Sequence, residues 1–471
     1  MAKIRVLAAI AATGVTALVA PAIVFTAEPS SSAVVVEDDG ADDRPTDAAA
    51  PSLLASVDRF GPSATDTNRG EASSTSPTGA GSTASTTEPA DSRPASVPTL
   101  PANDAPGAVG TADGANPPAG AASGTPAGQA PAVTGSATRF AWFYKPPANA
   151  LAGELASRFD VVVLTRNDES FRDQLKAANP SLQVLQYVLA NEIQDAGASQ
   201  PWRNQAAWTT GDAAALLAQH PEWFARDEAG RPLAGSIGGG RTIYTMDPTQ
   251  RGWTDYLVDR VLAHNIDAGW DGVFLDNVEM SLSKRRREGQ IPAAHPTDGA
   301  WQDAMVGHVA AIRRAFAAAG RPVWANVIEG GDSAAEIERL APHLEGTMDE
   351  SFGTGWDRRP RTGSAWERDV AAVEARTARG DHSLLVAQGA NGDAAALRYA
   401  FASYLLVASP AVSFRYADSA TAYAEVWWSD EFDRQLGNPT GPRYRDGDRW
   451  ARDFEGGRVT VDPTRGTAAI G

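Results

Sequence analysis

Short apolar runs rich in β-branched and aromatic residues alternate with amphipathic helical patterns along the last two-thirds of the chain. The runs cover residues 140–144, 160–165, 183–189, 272–276, 322–327, 345–349, 383–388 and 411–414. One intervening helix is predicted by apolar residues three or four positions apart, namely Trp301, Met305, Val309, Ile312 and Phe316. Another is predicted by Trp253, Leu257 and Val261. This alternation implies parallel strands joined by right-handed crossovers.

Eight such strands within about 275 residues predict a (β/α)8 TIM barrel. The alternative is a doubly wound open sheet, but no glycine-rich phosphate loop follows the first strand. Residues 190–271, between the third and fourth strands, are too many for one crossover. We therefore expect a large insertion after strand three, on the face where barrel loops build a site. Residues 454–461 predict a hairpin within a short C-terminal β element.

The N-terminal segment, residues 1–27, has the pattern of a secretory signal peptide. Lys3 and Arg5 precede a stretch without charge from residue 6 to residue 26, and residues 20–22 (APA) offer a cleavage site. The uncharged stretch of 21 residues is also long enough to span a bilayer, so an uncleaved signal anchor is the alternative. Interspersed threonine, glycine and proline residues dilute the apolar run and favour cleavage.

Residues 28–137 predict a disordered linker. They consist mostly of Ala, Ser, Thr, Pro, Gly and Asp, and Phe60 is their only aromatic residue. Their 14 acidic residues outnumber four arginines, giving a net charge of −10. Such a segment cannot bury enough apolar surface to offset its ordering entropy. It would serve as a stalk between the folded domain and a cell wall or membrane, or as a linker with no role beyond its length.

Residues 138–471 predict the folded domain, and their composition excludes several functions. All 13 tryptophans lie there, and its net charge of −9 would repel a nucleic acid, so we expect no nucleic-acid partner. The chain has no cysteine, which excludes thiol catalysis. The histidines form no HExxH motif and no GxSxG elbow is present, which disfavours a zinc hydrolase and an α/β-hydrolase. We expect neither a metal nor a cofactor.

Acidic residues stand at the ends of several predicted strands. Asp276 ends the fourth, in the run 270–277 (WDGVFLDN), and the others are Glu192, Glu329, Asp349 and Glu350. A single acid in this position can equally cap a helix or end a turn. In a barrel, however, these strand ends share one rim, and paired carboxylates there suit glycoside hydrolysis. Because side chains alternate, Glu350 should face the same side as Met348, and Asp349 the other side unless the strand has ended.

Aromatic residues near the same strand ends favour a sugar substrate, since sugar C–H faces pack on aromatic rings. These residues are Trp142, Tyr144, Tyr187, Trp324, Trp356, Trp427 and Trp428. Polar residues that would bind hydroxyl groups are Asn326, Gln388, Asn391 and Arg415. Any of these tryptophans can instead be a core residue, and any of the polar residues a helix cap. We expect substrate contacts from Tyr144, Tyr187, Glu192, Trp324, Asn326, Glu329, Asp349, Trp356 and Gln388.

Residues 138–465 resemble the barrel proteins of glycosyl-hydrolase-like family fifteen. The matching stretches are 140–144 (FAWFY), 246–248 (MDP), 271–277 (DGVFLDN) and 452–457 (RDFEGG). Similar strands occur in the endo-α-1,4-polygalactosaminidase and α-galactosidase barrels, which place a catalytic Asp at strand four. The α-galactosidases place a second acid at strand six. The resemblance implies that Asp276 is the nucleophile and Glu350 the acid/base, whereas amylase-type barrels, whose acid follows strand five, would favour Glu329.

The combined features predict an exported, monomeric glycoside hydrolase that acts on an extracellular or cell-surface polysaccharide or oligosaccharide. The N-terminal segment would provide any membrane or cell-wall association. The alternative is a catalytically inactive barrel that binds glycans or serves as a cell-wall module. Asp276 and Glu350 should face each other across the rim. Carboxyl groups about 5–5.5 Å apart would indicate retention, and about 6.5–9.5 Å inversion.

Overall fold

The computed structural model describes residues 138–195, 204–209, 211–236, 242–328, 333–418 and 424–471. The predicted leader, the predicted linker and Glu329 lie outside these ranges. Within them, no helix is both long enough and apolar enough to cross a bilayer.

In chain order the strands are β1 (Ala141–Phe143), β2 (Val161–Leu164), β3 (Gln183–Leu189), β4 (Glu192–Asp195), β5 (Ala234–Ser236), β6 (Thr242–Thr245), β7 (Gly272–Glu279), β8 (Val323–Ile328), β9 (Gly346–Asp349), β10 (His382–Gln388), β11 (Val412–Ala417), β12 (Tyr444–Asp446), β13 (Arg449–Phe454), β14 (Gly457–Asp462) and β15 (Thr467–Ile470). The α-helices are α1 (Ala152–Arg158), α2 (Glu169–Ala178), α3 (Asp212–Gln219), α4 (Arg251–Ala268), α5 (Ser283–Arg287), α6 (Asp298–Ala318), α7 (Ser333–Leu340), α8 (Gly363–Arg379) and α9 (Ala394–Val407).

Eight strands form one parallel sheet in the order β1-β2-β3-β7-β8-β9-β10-β11. A parallel bridge between Phe140 and Phe414 brings the two edge strands together. The Phe414 N–H also donates to the Arg139 carbonyl. Helices connect successive strands, so the fold is the predicted (β/α)8 TIM barrel. Each of the eight predicted strands is confirmed, with differences of up to three residues at their ends.

The fourth and eighth barrel strands, β7 and β11, both continue three residues beyond their predicted ends. The sequence prediction stopped β7 at the first polar pair, Asp276 and Asn277, yet the strand continues to Glu279. Apolar burial resumes beyond that pair, since Val278 and Met280 are both fully buried. Asp276 therefore lies within the strand rather than at its end.

A β-bulge explains how two successive polar residues fit within this strand. The pairing of β7 with β8 shifts register between Leu275 and Val278. The two residues in this gap, Asp276 and Asn277, oppose Asn326 alone. Asn277 adopts a left-handed conformation with φ of 56°. Bulges of this kind redirect a side chain and are common next to active sites.

Side-chain alternation divides the core into a barrel interior and two outer layers. On β3, Tyr187 and Leu189 belong to the interior cluster, whereas Val188 packs against the outer helices. The interior also contains Trp324, whose ring lies over Gly346. A Cβ atom at Gly346 would lie 2.3 Å from that ring, so only glycine fits there.

Identifiable capping residues mark the start of α6 and the end of α4. The Thr297 side chain accepts a hydrogen bond from the Ala300 N–H and starts α6. Helix α4 is followed by Gly269 at φ of 81°, the left-handed residue that commonly ends a helix. Both helices predicted from apolar spacing are confirmed, and each buries its predicted apolar face.

The large insertion after strand three is confirmed. It contains a three-stranded antiparallel sheet in the order β4-β6-β5, together with α3. Strand β4 starts at Glu192, directly beyond the end of β3, so the insertion sheet begins beside the carboxyl end of that barrel strand. This placement brings insertion side chains close to the barrel rim.

The C-terminal β element is also confirmed and is larger than predicted. Strands β12 to β15 form a four-stranded antiparallel sheet with neighbours in chain order. Val459 and Val461 join the same buried cluster as Phe401 of α9. Arg452 on β13 donates to the carbonyl groups of residues 405, 406 and 408, which caps the C-terminal end of α9. The sheet is therefore packed onto the barrel.

Candidate active site

Asp276 projects from the bulge into the barrel, where two side chains donate to its carboxylate. The Tyr187 hydroxyl donates to Oδ2, and the Asn326 amide donates to Oδ1 at 2.9 Å. Asp276 is only 2% exposed. Its backbone carbonyl accepts from the Ala190 N–H at 2.9 Å, just beyond the end of β3. Both the main chain and the carboxylate are thereby held in place.

Asn326 links the two predicted catalytic acids. Its amide nitrogen Nδ2 donates to Asp276 Oδ1 and also, at 2.8 Å, to Glu350 Oε2. Because both oxygen atoms lie within 2.9 Å of one nitrogen, they are less than about 6 Å apart. This distance between the nearest bonded oxygen atoms is compatible with the carboxyl spacing of retaining pairs.

Glu350 follows β9 immediately, and its position depends on the neighbouring strand. Gln388, the last residue of β10, donates from Nε2 to the Glu350 backbone carbonyl at 2.6 Å. Glu350 shares the side of β9 occupied by Met348, which belongs to the interior cluster. Glu350 is 6% exposed and Asp276 is 2% exposed, so both acids are buried below the surface of the barrel rim.

Burial dominates the electrostatics of the site. It raises the pKa of Asp276, although donation from Tyr187, Asn326 and the Asn277 N–H offsets part of that effect. Burial and the nearby Asp276 carboxylate raise the pKa of Tyr187 well above its usual value. Tyr187 consequently remains a neutral hydrogen-bond donor throughout the physiological pH range.

Tyr144 lies beside this group and offers a further hydroxyl. It follows β1, and its ring centroid is 4.7 Å from that of Tyr187. Burial, followed by the charge of Asp276, raises the pKa of its hydroxyl, which therefore stays protonated. Within the described residues, this buried oxygen has no hydrogen-bond partner. A hydroxyl group of a bound sugar would supply one.

Two of the other predicted contact residues, Trp324 and Asp349, are directed away from the two acids. Trp324 belongs to the barrel interior, and its ring lies 5.2 Å from that of His382 at the start of β10, away from the rim. Asp349 faces the opposite side from Glu350, where its charge helps to raise the pKa of buried Asp369 on α8. Trp356 is half-buried in the loop after β9. Glu329 lies outside the described residues.

Glu192 lies near the acids but contacts protein groups. Its carboxylate accepts from Asn277 Nδ2 at 2.7 Å and from Arg285 Nη2 at 2.9 Å. Arg285 also pairs with Glu279 at the end of β7. Three residues of this cluster were not predicted as site residues: Asn277, Glu279 and Arg285. No sequence signal separated Arg285 from the basic run 284–287, which is typical of a solvent-exposed helix face.

No metal centre is indicated in the part of the chain that the structure describes, because no three His, Cys, Asp or Glu side chains are grouped to hold an ion. The donors around Asp276 are a tyrosine hydroxyl and an asparagine amide, which hold an anion rather than a cation. The arrangement suits acid–base and nucleophilic chemistry by carboxylates.

Comparison with solved structures gives matches at low identity. The glycoside hydrolase domain of PelA from Pseudomonas aeruginosa is 18% identical, with a TM-score of 0.40 over 62% of this chain and 99% of that chain. The α-galactosidase TtGalA from Thermus thermophilus is 14% identical, with a TM-score of 0.40 over 70% and 66%. The maltogenic α-amylase AmyB from Thermotoga neapolitana is 10% identical, with a TM-score of 0.38 over 69% and 86%.

A comparison with curated proteins gives no match. The family comparison does give one, and it covers more than half of the chain. Residues 176–458 match the model described as "Hypothetical glycosyl hydrolase family 15". The matched segment runs from α2 to β14 and includes Asp276, Asn326 and Glu350. The resemblance predicted from the sequence is thereby confirmed, and the chain belongs to this glycosyl hydrolase family.

Proposed function

We propose that this glycoside hydrolase is exported and cleaves an O-glycosidic bond in an extracellular or cell-surface polysaccharide. Asp276 acts as the nucleophile and Glu350 as the acid/base. The observation that supports this pair is the donation of one amide nitrogen, that of Asn326, to both carboxylates. A purely structural asparagine would not need to hold two buried acids so close together.

In the proposed first step, Asp276 attacks the anomeric carbon while Glu350 protonates the departing glycosidic oxygen. The bond to the leaving group breaks as a covalent glycosyl–Asp276 ester forms. In the second step, Glu350 takes a proton from water, which attacks the anomeric carbon and releases Asp276. Tyr187 and Asn326 hold the Asp276 carboxylate in line, because each occupies one of its oxygen atoms.

Of the remaining predicted contact residues, some would bind the sugar and others hold the catalytic residues in place. The Tyr144 hydroxyl would donate to a sugar hydroxyl beside Asp276, and Trp356 would pack against a sugar ring further out. Gln388 supports Glu350 through the backbone carbonyl. Trp324 shapes the interior below the acids. Glu329 remains the alternative acid proposed from the sequence.

Retention of anomeric configuration is the expected outcome of this geometry. The two carboxylate oxygen atoms that accept from Asn326 are less than about 6 Å apart, which favours direct attack by Asp276 over attack by a water molecule held between the acids. The full-length protein should be incubated with a panel of purified polysaccharides, and the first product followed by proton NMR before mutarotation. A first product with inverted configuration would rule out Asp276 as nucleophile.

The same screen tests whether the protein is active at all. Turnover of at least one glycan by the wild-type protein, absent from Asp276→Asn, supports the proposal. Binding of a glycan without turnover by the wild-type protein would instead favour an inactive, glycan-binding barrel.

Export is expected from the N-terminal sequence, with removal of the leader after Ala22 or nearby. N-terminal sequencing of the protein from the culture medium and from membranes of its own host distinguishes the two forms. A mature terminus near residue 23 indicates a secreted protein, and an intact leader in the membrane fraction indicates an anchor. Recovery of the protein with Met1 intact in the cytoplasm would contradict export.

A further inference from the structure

The backbone at Asn277 determines where Asp276 points. Asn277 is the extra residue of the bulge and has φ of 56°, a conformation that residues with a side chain adopt reluctantly and that Asn tolerates better than most. If Asn277 relaxed to an ordinary extended conformation, the bulge would be lost and the Asp276 side chain would be re-aimed.

Glu192 accepts a hydrogen bond from the Asn277 side chain and thereby supports the left-handed backbone conformation of Asn277. Its Oε2 accepts from Asn277 Nδ2 at 2.7 Å, and both residues are buried. Glu192 belongs to β4 of the insertion, so a residue outside the barrel strands holds the bulge. Glu192 is only 2% exposed, so its carboxylate presents almost no surface to a sugar.

A buried cation fixes Glu192 in turn. Arg285 on α5 is 1% exposed, and its Nη2 donates to Glu192 Oε1 at 2.9 Å. The same guanidinium pairs with Glu279 at 3.1 Å, and Glu279 pairs with Lys284 at 3.2 Å. The two buried carboxylates are thus paired with two cations, which allows these charged groups to be buried together, and the more exposed Glu288 also lies 3.8 Å from Arg285. The cluster ties β4, the end of β7 and α5 to one another.

We propose that Glu192 is a positioning residue for Asp276, acting through Asn277, and does not touch the substrate. Arg285 orients Glu192, Glu192 holds the Asn277 amide, and the left-handed Asn277 aims Asp276 at the anomeric carbon. This inference rests on the proposed function, and it replaces the substrate contact expected of Glu192 from the sequence.

A matched pair of variants isolates the backbone effect. Asn277→Gly and Asn277→Ala both remove the contact with Glu192, but only glycine adopts positive φ readily. Asn277→Ala is expected to lower kcat about 100-fold with little change in KM, the loss typical of a misplaced catalytic group. Asn277→Gly should lose less than about fivefold, because its backbone still fits the bulge. Equal losses in both variants would overturn the proposal.

Glu192 is then tested in both backgrounds. Glu192→Ala should lower kcat about 100-fold in the wild-type background with KM within about twofold, and by less than about fivefold in Asn277→Gly. If Glu192→Ala fails to fold, Glu192→Gln makes the same comparison. The glutamine amide has only one oxygen, so it cannot accept from Asn277 with one oxygen atom and from Arg285 with the other. A rise in KM with unchanged kcat, or the same loss in both backgrounds, would show that Glu192 acts otherwise.

A stability measurement separates failure of this inference from failure of the proposed function. Thermal unfolding needs no substrate, so it remains informative if the wild-type protein turns over no glycan. The position 192 variant should lower the Tm more in the wild-type background than in Asn277→Gly. Equal shifts in the two backgrounds would mean that Glu192 does not hold Asn277, whatever the activity of the protein.

Discussion

Asp276→Asn is expected to lower kcat at least about 10³-fold and, at pH 7, to increase the free energy of unfolding. The loss of turnover follows because an amide cannot attack the anomeric carbon in place of a carboxylate. The gain in stability follows because the wild-type protein keeps a carboxylate in a site where burial opposes its ionisation. Active sites commonly reduce stability in this way.

Burial raises the pKa of Asp276 in the folded protein above the unfolded value, so the folded state binds this proton more tightly. The ionised form therefore costs stability at neutral pH, and this cost disappears as the pH falls to the ordinary pKa of an aspartate, about 3.9. The advantage of Asp276→Asn in urea unfolding should be largest at pH 7 and should shrink towards pH 4.

Asp271→Asn is the matched control, because this acid lies just before the same strand and far from Glu350. Asp271 pairs with Lys176 at 2.9 Å and accepts from the Val184 N–H, both of which are structural contacts. This variant should keep wild-type turnover and lose some stability. Turnover by Asp276→Asn at the wild-type rate on a confirmed substrate would show that the nucleophile lies elsewhere.

Most of the barrel could be predicted because its determinants are local. Tyr187 and Leu189 alternate with Val188 along one β-prone run, and periodicity of this kind sets strand identity and facing. The same alternation correctly separates Glu350 from Asp349. The convergence of strands four and six on one rim then follows from the parallel topology alone.

The bulge could not be predicted, because its cause is not local. Asn277 occupies a left-handed conformation that depends on Glu192, 85 positions earlier, and on Arg285, which orients Glu192. A sequence pattern shows each of these only as a polar residue near a strand end or in a basic run. Asn326 presents the same difficulty, because its amide bridges acids on two different strands. Such contacts become visible only when side chains are placed in three dimensions.

Glu350→Ala is expected to lower kcat by about 10²–10⁴-fold on natural glycans, the usual contribution of general acid–base catalysis. A substrate with an aryl leaving group needs little protonation, so its first step should proceed and the glycosyl–Asp276 ester should accumulate. Azide can then occupy the space left by the Glu350 side chain and attack the ester without a general base. The expected product is a glycosyl azide with the configuration of the substrate.

The configuration of that azide distinguishes the two carboxylates. If Glu350 were the nucleophile, azide would attack the substrate directly and the product would have the opposite configuration. Asp349→Ala is the matched control, because it removes the adjacent carboxylate on the other side of β9 and should give no azide product. NMR of the product from each variant decides the assignment. If Glu329→Ala, rather than Glu350→Ala, gave the glycosyl azide of retained configuration, Glu329 after strand five would be the acid/base. Only removal of the acid/base lets azide attack the glycosyl–Asp276 ester and give that product.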